Sequence, residues 1–120
     1  VTAAALVAEN RSLAFPASVD SIPTSAGQED HVSMAPIAAR KAGQIVRNAA
    51  GVVAVELIAG AQGVDFHAPL KTSPQLQEVH SKVREVTPHF TSDRYWADDM
   101  AALQAAVLEG RFGTGIIALS

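Results

Sequence analysis

Apolar positions recur at helical spacing in four stretches of the chain, separated by breaks rich in proline, glycine and serine. In the first, residues 1–14, Ala3, Leu6, Val7 and Leu13 fall near one face, with Glu9, Asn10 and Arg11 opposite. Pro16 ends that helix, because it cannot donate the next backbone hydrogen bond. The second stretch, residues 33–63, is the longest. At 1.5 Å per residue its thirty or so residues reach roughly 45 Å. Ile37, Ala38, Ala42, Ile45, Ala49, Val52, Val53, Leu57 and Ala61 form its stripe. From Ala49 onward it is apolar almost all round, which predicts a helix surrounded by other helices. Asp30 or Ser33 is placed to cap it, Pro36 fits its first turn, and Gly63 is expected to stop it. Gly43, Gly51 and Gly60 each disfavour helix by about 1 kcal/mol, so close approach of neighbouring backbones is expected there.

The third stretch, residues 73–87, opens with Ser73 as cap and Pro74 in the first turn, after a loop from His67 to Thr72. Leu76, Val79, Val83 and Val86 make a narrow stripe, and Pro88 ends it. The fourth, residues 92–110, starts from Thr91-Ser92-Asp93. It carries Trp96, Met100, Leu103 and Val107 on one face and closes at Gly110. Within the tail Arg111–Ser120, residues Ile116–Leu119 suit a short strand or a segment tucked against a partner. The fold class read from this pattern is all-α, built on one long helix with shorter ones around it.

Between the first two helices lies residues 15–32, where Pro, Gly, Ser and Asp mark an ordered turn region. It ends in Gln28-Glu29-Asp30-His31, the densest run of polar side chains that could do chemistry. Two readings stay open from spacing alone. Acids before a helix are favoured by its dipole and can cap it; equally, a polar loop between apolar helices is where a site belongs. Other chemistries find no footing. Neither His31 nor His67 has a second histidine at metal-binding spacing. There is no Gly-x-Ser-x-Gly nucleophile turn and no phosphate loop. His80 and His89 read as surface or packing residues, and Trp96 as core.

Composition narrows the partners. A net charge of −3 with interspersed acids and bases lacks the basic stripe of a nucleic-acid binder. The most apolar run, 49–61, is broken by Glu56 and falls short of the roughly 18 residues a membrane span needs. No cysteine is present, so thiol chemistry is excluded and a cytoplasmic location is expected. Hydrophobic residues are 48% of the chain but aromatics only 5%, which suits closely packed Ala-rich helices. The start at Val1 reads as mid-helix, as in a piece of a longer protein.

Three segments carry a resemblance: Thr2-Ala3-Ala4-Ala5-Leu6-Val7-Ala8-Glu9-Asn10, Pro16 to Ser25, and Gln28-Glu29-Asp30-His31-Val32-Ser33-Met34. With Ala38-Ala39-Arg40-Lys41, Glu56-Leu57, Ala61-Gln62-Gly63 and Pro69 to Ser73, they resemble the histidine branch of the aromatic amino acid ammonia-lyases over essentially the whole chain. The resemblance implies the C-terminal quarter of a larger, mainly helical lyase, joined to the remainder of the same enzyme. It implies a homotetramer with a central helix bundle. The implied reaction is elimination of ammonia from L-histidine to give urocanate. The family's electrophile is a 4-methylidene-imidazol-5-one formed from an internal Ala-Ser-Gly, which these 120 residues do not contain. By the same resemblance Glu29 is a catalytic and substrate-binding residue and Gln28 supports it, in an active-site loop at 15–32. Relatives acting on phenylalanine or tyrosine carry an amide at the position of Glu29. Position 27 is often Asn in the family and is Gly here. The alternative expectation is a non-catalytic helical oligomerisation domain.

Overall fold

The computed structural model describes residues 1–112. Among these residues every regular element is helical. Helix α1 is Thr2–Leu13, α2 is Ala35–Asp65, α3 is Pro74–Val86 and α4 is Ala97–Leu108. Two 3-10 turns, Ala17–Val19 and Ser25–Gly27, shape the segment between α1 and α2. The all-α expectation holds. The strand considered for 116–119 lies outside the described residues.

Helix α2 is the axis. Its 31 residues span about 46 Å, with α1 and α4 antiparallel along it. Leu6 meets Gly51, Asn10 reaches the Ile45 carbonyl at 3.4 Å, and the Lys41 ammonium holds the Phe15 carbonyl. On the other flank Gln104 donates to the Arg47 carbonyl at 2.7 Å. The core is a seam of small side chains. Ala50, Ala54, Ile58 and Ala61 of α2 are buried, with Leu103 and Ala106 of α4 and Val83 of α3. Leu57, Val86, Phe90, Trp96, Met100 and Phe112 close its edges. Trp96 therefore borders the core rather than filling it. Its ring meets Phe90 edge-on at 4.4 Å and carries the Arg94 guanidinium 4.6 Å from its centroid.

Several boundaries differ from the sequence reading. Helix α2 passes through Gly63 and ends at Asp65, because a glycine lowers helix propensity without forbidding the conformation. At its start the Ser33 hydroxyl accepts the Ala35 N–H at 3.3 Å; Asp30 takes no part in capping. Helix α4 starts at Ala97, five residues later than 92. Asp93, in the expected start, accepts the Arg94 N–H at 2.9 Å and the Trp96 indole N–H at 3.1 Å. Ser73 does cap α3, accepting the Leu76 N–H at 3.4 Å. Gly110 does close α4: with φ +74 it lets Gly110 and Arg111 donate back to Val107 and Ala106, both at 3.0 Å.

Within this chain α2 is covered on only part of its circumference. Val46 and Val53 are 57% and 44% exposed. The radius of gyration is 19.9 Å, against about 14 Å for a compact domain of this length. By length and composition alone α2 would suffice to cross a bilayer, more than the run 49–61 suggested, while one stripe of it packs against α1 and α4. Of the three glycines expected to admit neighbours, only Gly51 does so closely. A methyl there would lie 3.0 Å from Leu6 Cδ1 and 3.4 Å from Gln104 Nε2, whereas nothing lies within 4 Å at Gly60. Gly51→Leu is therefore expected to destabilise the protein by about 1–3 kcal/mol through overpacking, read as a lowered denaturation midpoint. An unchanged midpoint would mean that α1 and α4 do not both bear on that point.

Candidate functional site

The segment from Phe15 to Met34 is held from both ends. The Lys41 contact ties its start to α2, and the Ser21 hydroxyl donates to the Val32 carbonyl at 3.1 Å, pinning one limb against the other. Within it, Thr24 and Glu29 pair as an isolated antiparallel bridge. The Thr24 N–H donates to the Glu29 carbonyl at 2.7 Å, and the Glu29 N–H returns to Thr24 at 3.3 Å. Two tight turns fill the bridge: Gly27 N–H to the Thr24 carbonyl at 3.0 Å, and Gln28 N–H to the Ser25 carbonyl at 3.1 Å. Three successive residues are left-handed, Ser25 and Ala26 at φ 54 and Gly27 at φ 85. Such turns need positive φ at both central residues. For Ser25 and Ala26 this conformation is unfavourable by about 1–2 kcal/mol each. Position 27 is the one where glycine, or asparagine among the larger residues, fits without strain.

Gln28, Glu29, Asp30 and His31 follow this turn with exposed side chains. The side-chain hydrogen bonds found in the loop, among the described residues, belong instead to Asp20, Ser21 and Ser33. With α2 starting only at Ala35, the run lies too far upstream to serve as its cap, and that reading falls. Asp20 and His31 line a concavity of about 650 Å³ together with Pro16, Val32, Met34 and Ala38. Gln28 and Glu29 do not line this hollow. No cluster of His, Asp and Glu suited to a metal occurs among the described residues.

The most connected polar group lies elsewhere and escaped the sequence reading. Asp65, at the end of α2, receives His80 Nε2 at 2.7 Å, Arg84 Nη2 at 2.7 Å and His89 Nδ1 at 2.9 Å. Neither histidine is the bystander the sequence suggested. Gln62, one turn earlier, accepts from Arg84 at 3.3 Å and donates to the Phe90 carbonyl at 2.9 Å. The cluster ties α2, α3 and the segment after Pro88 together. A polar pair spaced i, i+3 at the end of an apolar helix was the available signal. Burial pushes the Asp65 carboxyl up, but hydrogen bonds from His89, His80 and Arg84, with the Arg84 charge, outweigh it and hold the group at about 2.

The same helical arrangement is found in enzymes that act on amino acids. Histidine ammonia-lyase from Trypanosoma cruzi superposes with a TM-score of 0.88 at 42% identity, over 97% of this chain and 23% of that one. Tyrosine aminomutase from Streptomyces globisporus gives 0.87 at 38% identity, over 97% and 22%. The fold is thus shared by lyases and aminomutases. Residues 1–85 match the aromatic amino acid lyase family, and the chain belongs to it. Histidine ammonia-lyase of Desulfotalea psychrophila is 59% identical over 112 residues, which are 93% of this chain and 22% of that protein. The chain thus spans about a fifth of the length of the curated relatives it matches.

A carboxyl whose value drops from 3.8 to about 2 on folding stabilises the fold fully above the unfolded value and loses that effect as pH falls through the folded one. The contribution of Asp65 is about 2 kcal/mol, removed between about pH 4 and pH 2. Urea midpoints measured across this range should therefore fall more steeply for the parent than for Asp65→Asn. Parallel curves would remove Asp65 as the source.

Proposed function

We propose that the chain is the C-terminal part of a histidine ammonia-lyase, and that its Phe15–Met34 segment supplies part of the substrate site. The observation that carries this is 59% identity to a histidine ammonia-lyase across nearly the whole chain, with an exposed glutamate at position 29 whose side chain makes no hydrogen bond among the described residues. The structural likeness to a tyrosine aminomutase means that the fold does not by itself choose the substrate; residue 29 does. A carboxylate accepts the imidazole N–H and favours its cationic form, whereas an amide suits an uncharged ring. In this reading Gln28 supports the same site with its amide.

The reaction removes the α-amino group as ammonia and a proton from Cβ, forming the Cα=Cβ bond of urocanate without an oxidant. In this reading Glu29 binds and orients the imidazole and is placed to take part in proton transfer. The electrophilic 4-methylidene-imidazol-5-one does not fit the residues of this chain as its source. Ala17-Ser18 is followed by Val19 inside one 3-10 turn, and Ser25-Ala26 precedes Gly27 in the other, so no Ala-Ser-Gly is available to cyclise. That group belongs to the remainder of the enzyme in this reading, as do the other copies of a homotetramer, which would cover the bare flank of α2. A cytoplasmic location accompanies it.

In the full-length enzyme, Glu29→Gln should lower kcat/KM for histidine about ten- to hundredfold through the lost charge-assisted hydrogen bond, and about a further hundredfold where proton transfer is involved. The melting temperature should hardly move. Histidine kinetics within about twofold of the parent would refute the assignment. The 120-residue chain on its own should make no urocanate from histidine, and absorbance growth at the urocanate band with the purified chain would contradict the source assigned to the electrophile.

A further inference from the structure

The backbone just before Glu29 is the most contorted among the described residues. Ser25, Ala26 and Gly27 are left-handed in succession, although only the last lacks a Cβ. Ala26, at φ 54 and ψ 34, is central to both tight turns. An unfavourable conformation persists only where the surroundings enforce it, and such residues gather at sites that need fixed geometry. Here the enforcement is visible. The two turns bring Thr24 opposite Glu29, and both backbone hydrogen bonds of that pair are made. Apart from them, no hydrogen bond among the described residues fixes residue 29. A right-handed residue at 26 would open the turns, separate Thr24 from Glu29 and shift the backbone that carries the carboxylate.

We propose that the left-handed turn Ser25-Ala26-Gly27 is a positioning device for the Glu29 carboxylate, with Ala26 its determining residue. This rests on the reading of Glu29 as a substrate-site residue. Its action is entirely through Glu29: Ala26 touches no reacting atom.

The test is a double-mutant cycle in the full-length enzyme, with kcat/KM for histidine and melting temperature measured on each variant. A β-branched residue is strongly disfavoured at positive φ, so Ala26→Val should lower kcat/KM about ten- to hundredfold, the loss expected of a carboxylate displaced by about 1 Å. Ala26→Gly, which accepts the same backbone, should stay within about twofold of the parent. The decisive variant combines Ala26→Val with Glu29→Gln. Because the turn acts through the carboxylate, the double variant should match Glu29→Gln within about twofold rather than show the product of both losses. Full additivity, or near-parental Ala26→Val beside an impaired Glu29→Gln, would overturn the positioning role while leaving the substrate assignment intact. Near-parental Glu29→Gln would overturn the assignment itself and this inference with it. If Ala26→Val does not fold, Gly27→Val takes its place. Its Cβ meets nothing within 4 Å, so any effect comes from the φ of +85, and the same outcomes decide.

Discussion

Everything in this chain hangs on how closely α1 and α4 can approach α2. Gly51 is the point where both do so at once, with Leu6 on one side and Gln104 on the other. Around it the helix presents Ala50, Ala54 and Ala61, short side chains that bring helix axes together and let dispersion contacts accumulate. Polar groups also bridge this contact: Asn48 donates to Glu9 at 2.9 Å, and Gln104 to the Arg47 carbonyl. With α1 tied in this way, the chain between α1 and α2 has both ends fixed. The Thr24–Glu29 turn then sits on a rigid base.

The sequence was legible where one residue type settles a backbone question. Proline at 16, 36, 74 and 88 and the Ser73 cap set helix ends to within a residue or two, because their constraints are local. It misled where a side chain had a competing partner. Thr91-Ser92-Asp93 looked like a helix start, but the Trp96 indole and a neighbouring N–H occupy the Asp93 carboxylate, and α4 begins later. Gly63 looked like a stop, but a helix held by tertiary packing passes through a glycine. The Asp65 cluster was out of reach because its members lie 15, 19 and 24 residues apart. Only the folded arrangement of α2 and α3 unites them.

The candidate site was legible in a different way. Spacing alone could not separate a capped helix start from a substrate loop at Gln28–His31. The resemblance pointed to Glu29, and the structure removed the capping alternative by starting α2 at Ala35. No periodicity could have disclosed the left-handed turn. The Ser-Ala-Gly run is unremarkable as a string, and its conformation follows from the pairing of residues on either side of it. On the bare flank of α2 the apolar character was plain, and Val46 and Val53 stay exposed there.

The geometry at Asp65 also bears on the protons of the two imidazoles around it. A carboxylate offers no proton, so each imidazole facing it must supply one. His80 does so from Nε2 and His89 from Nδ1. In their neutral forms the two rings are therefore held as opposite tautomers, each with its lone pair turned away from the acid. One acidic side chain thereby imposes two different electronic faces on its surroundings. When neutral, His80 turns Nδ1 and His89 turns Nε2 outward as its acceptor, so two residues of one type on one carboxylate offer different ring nitrogens to their surroundings.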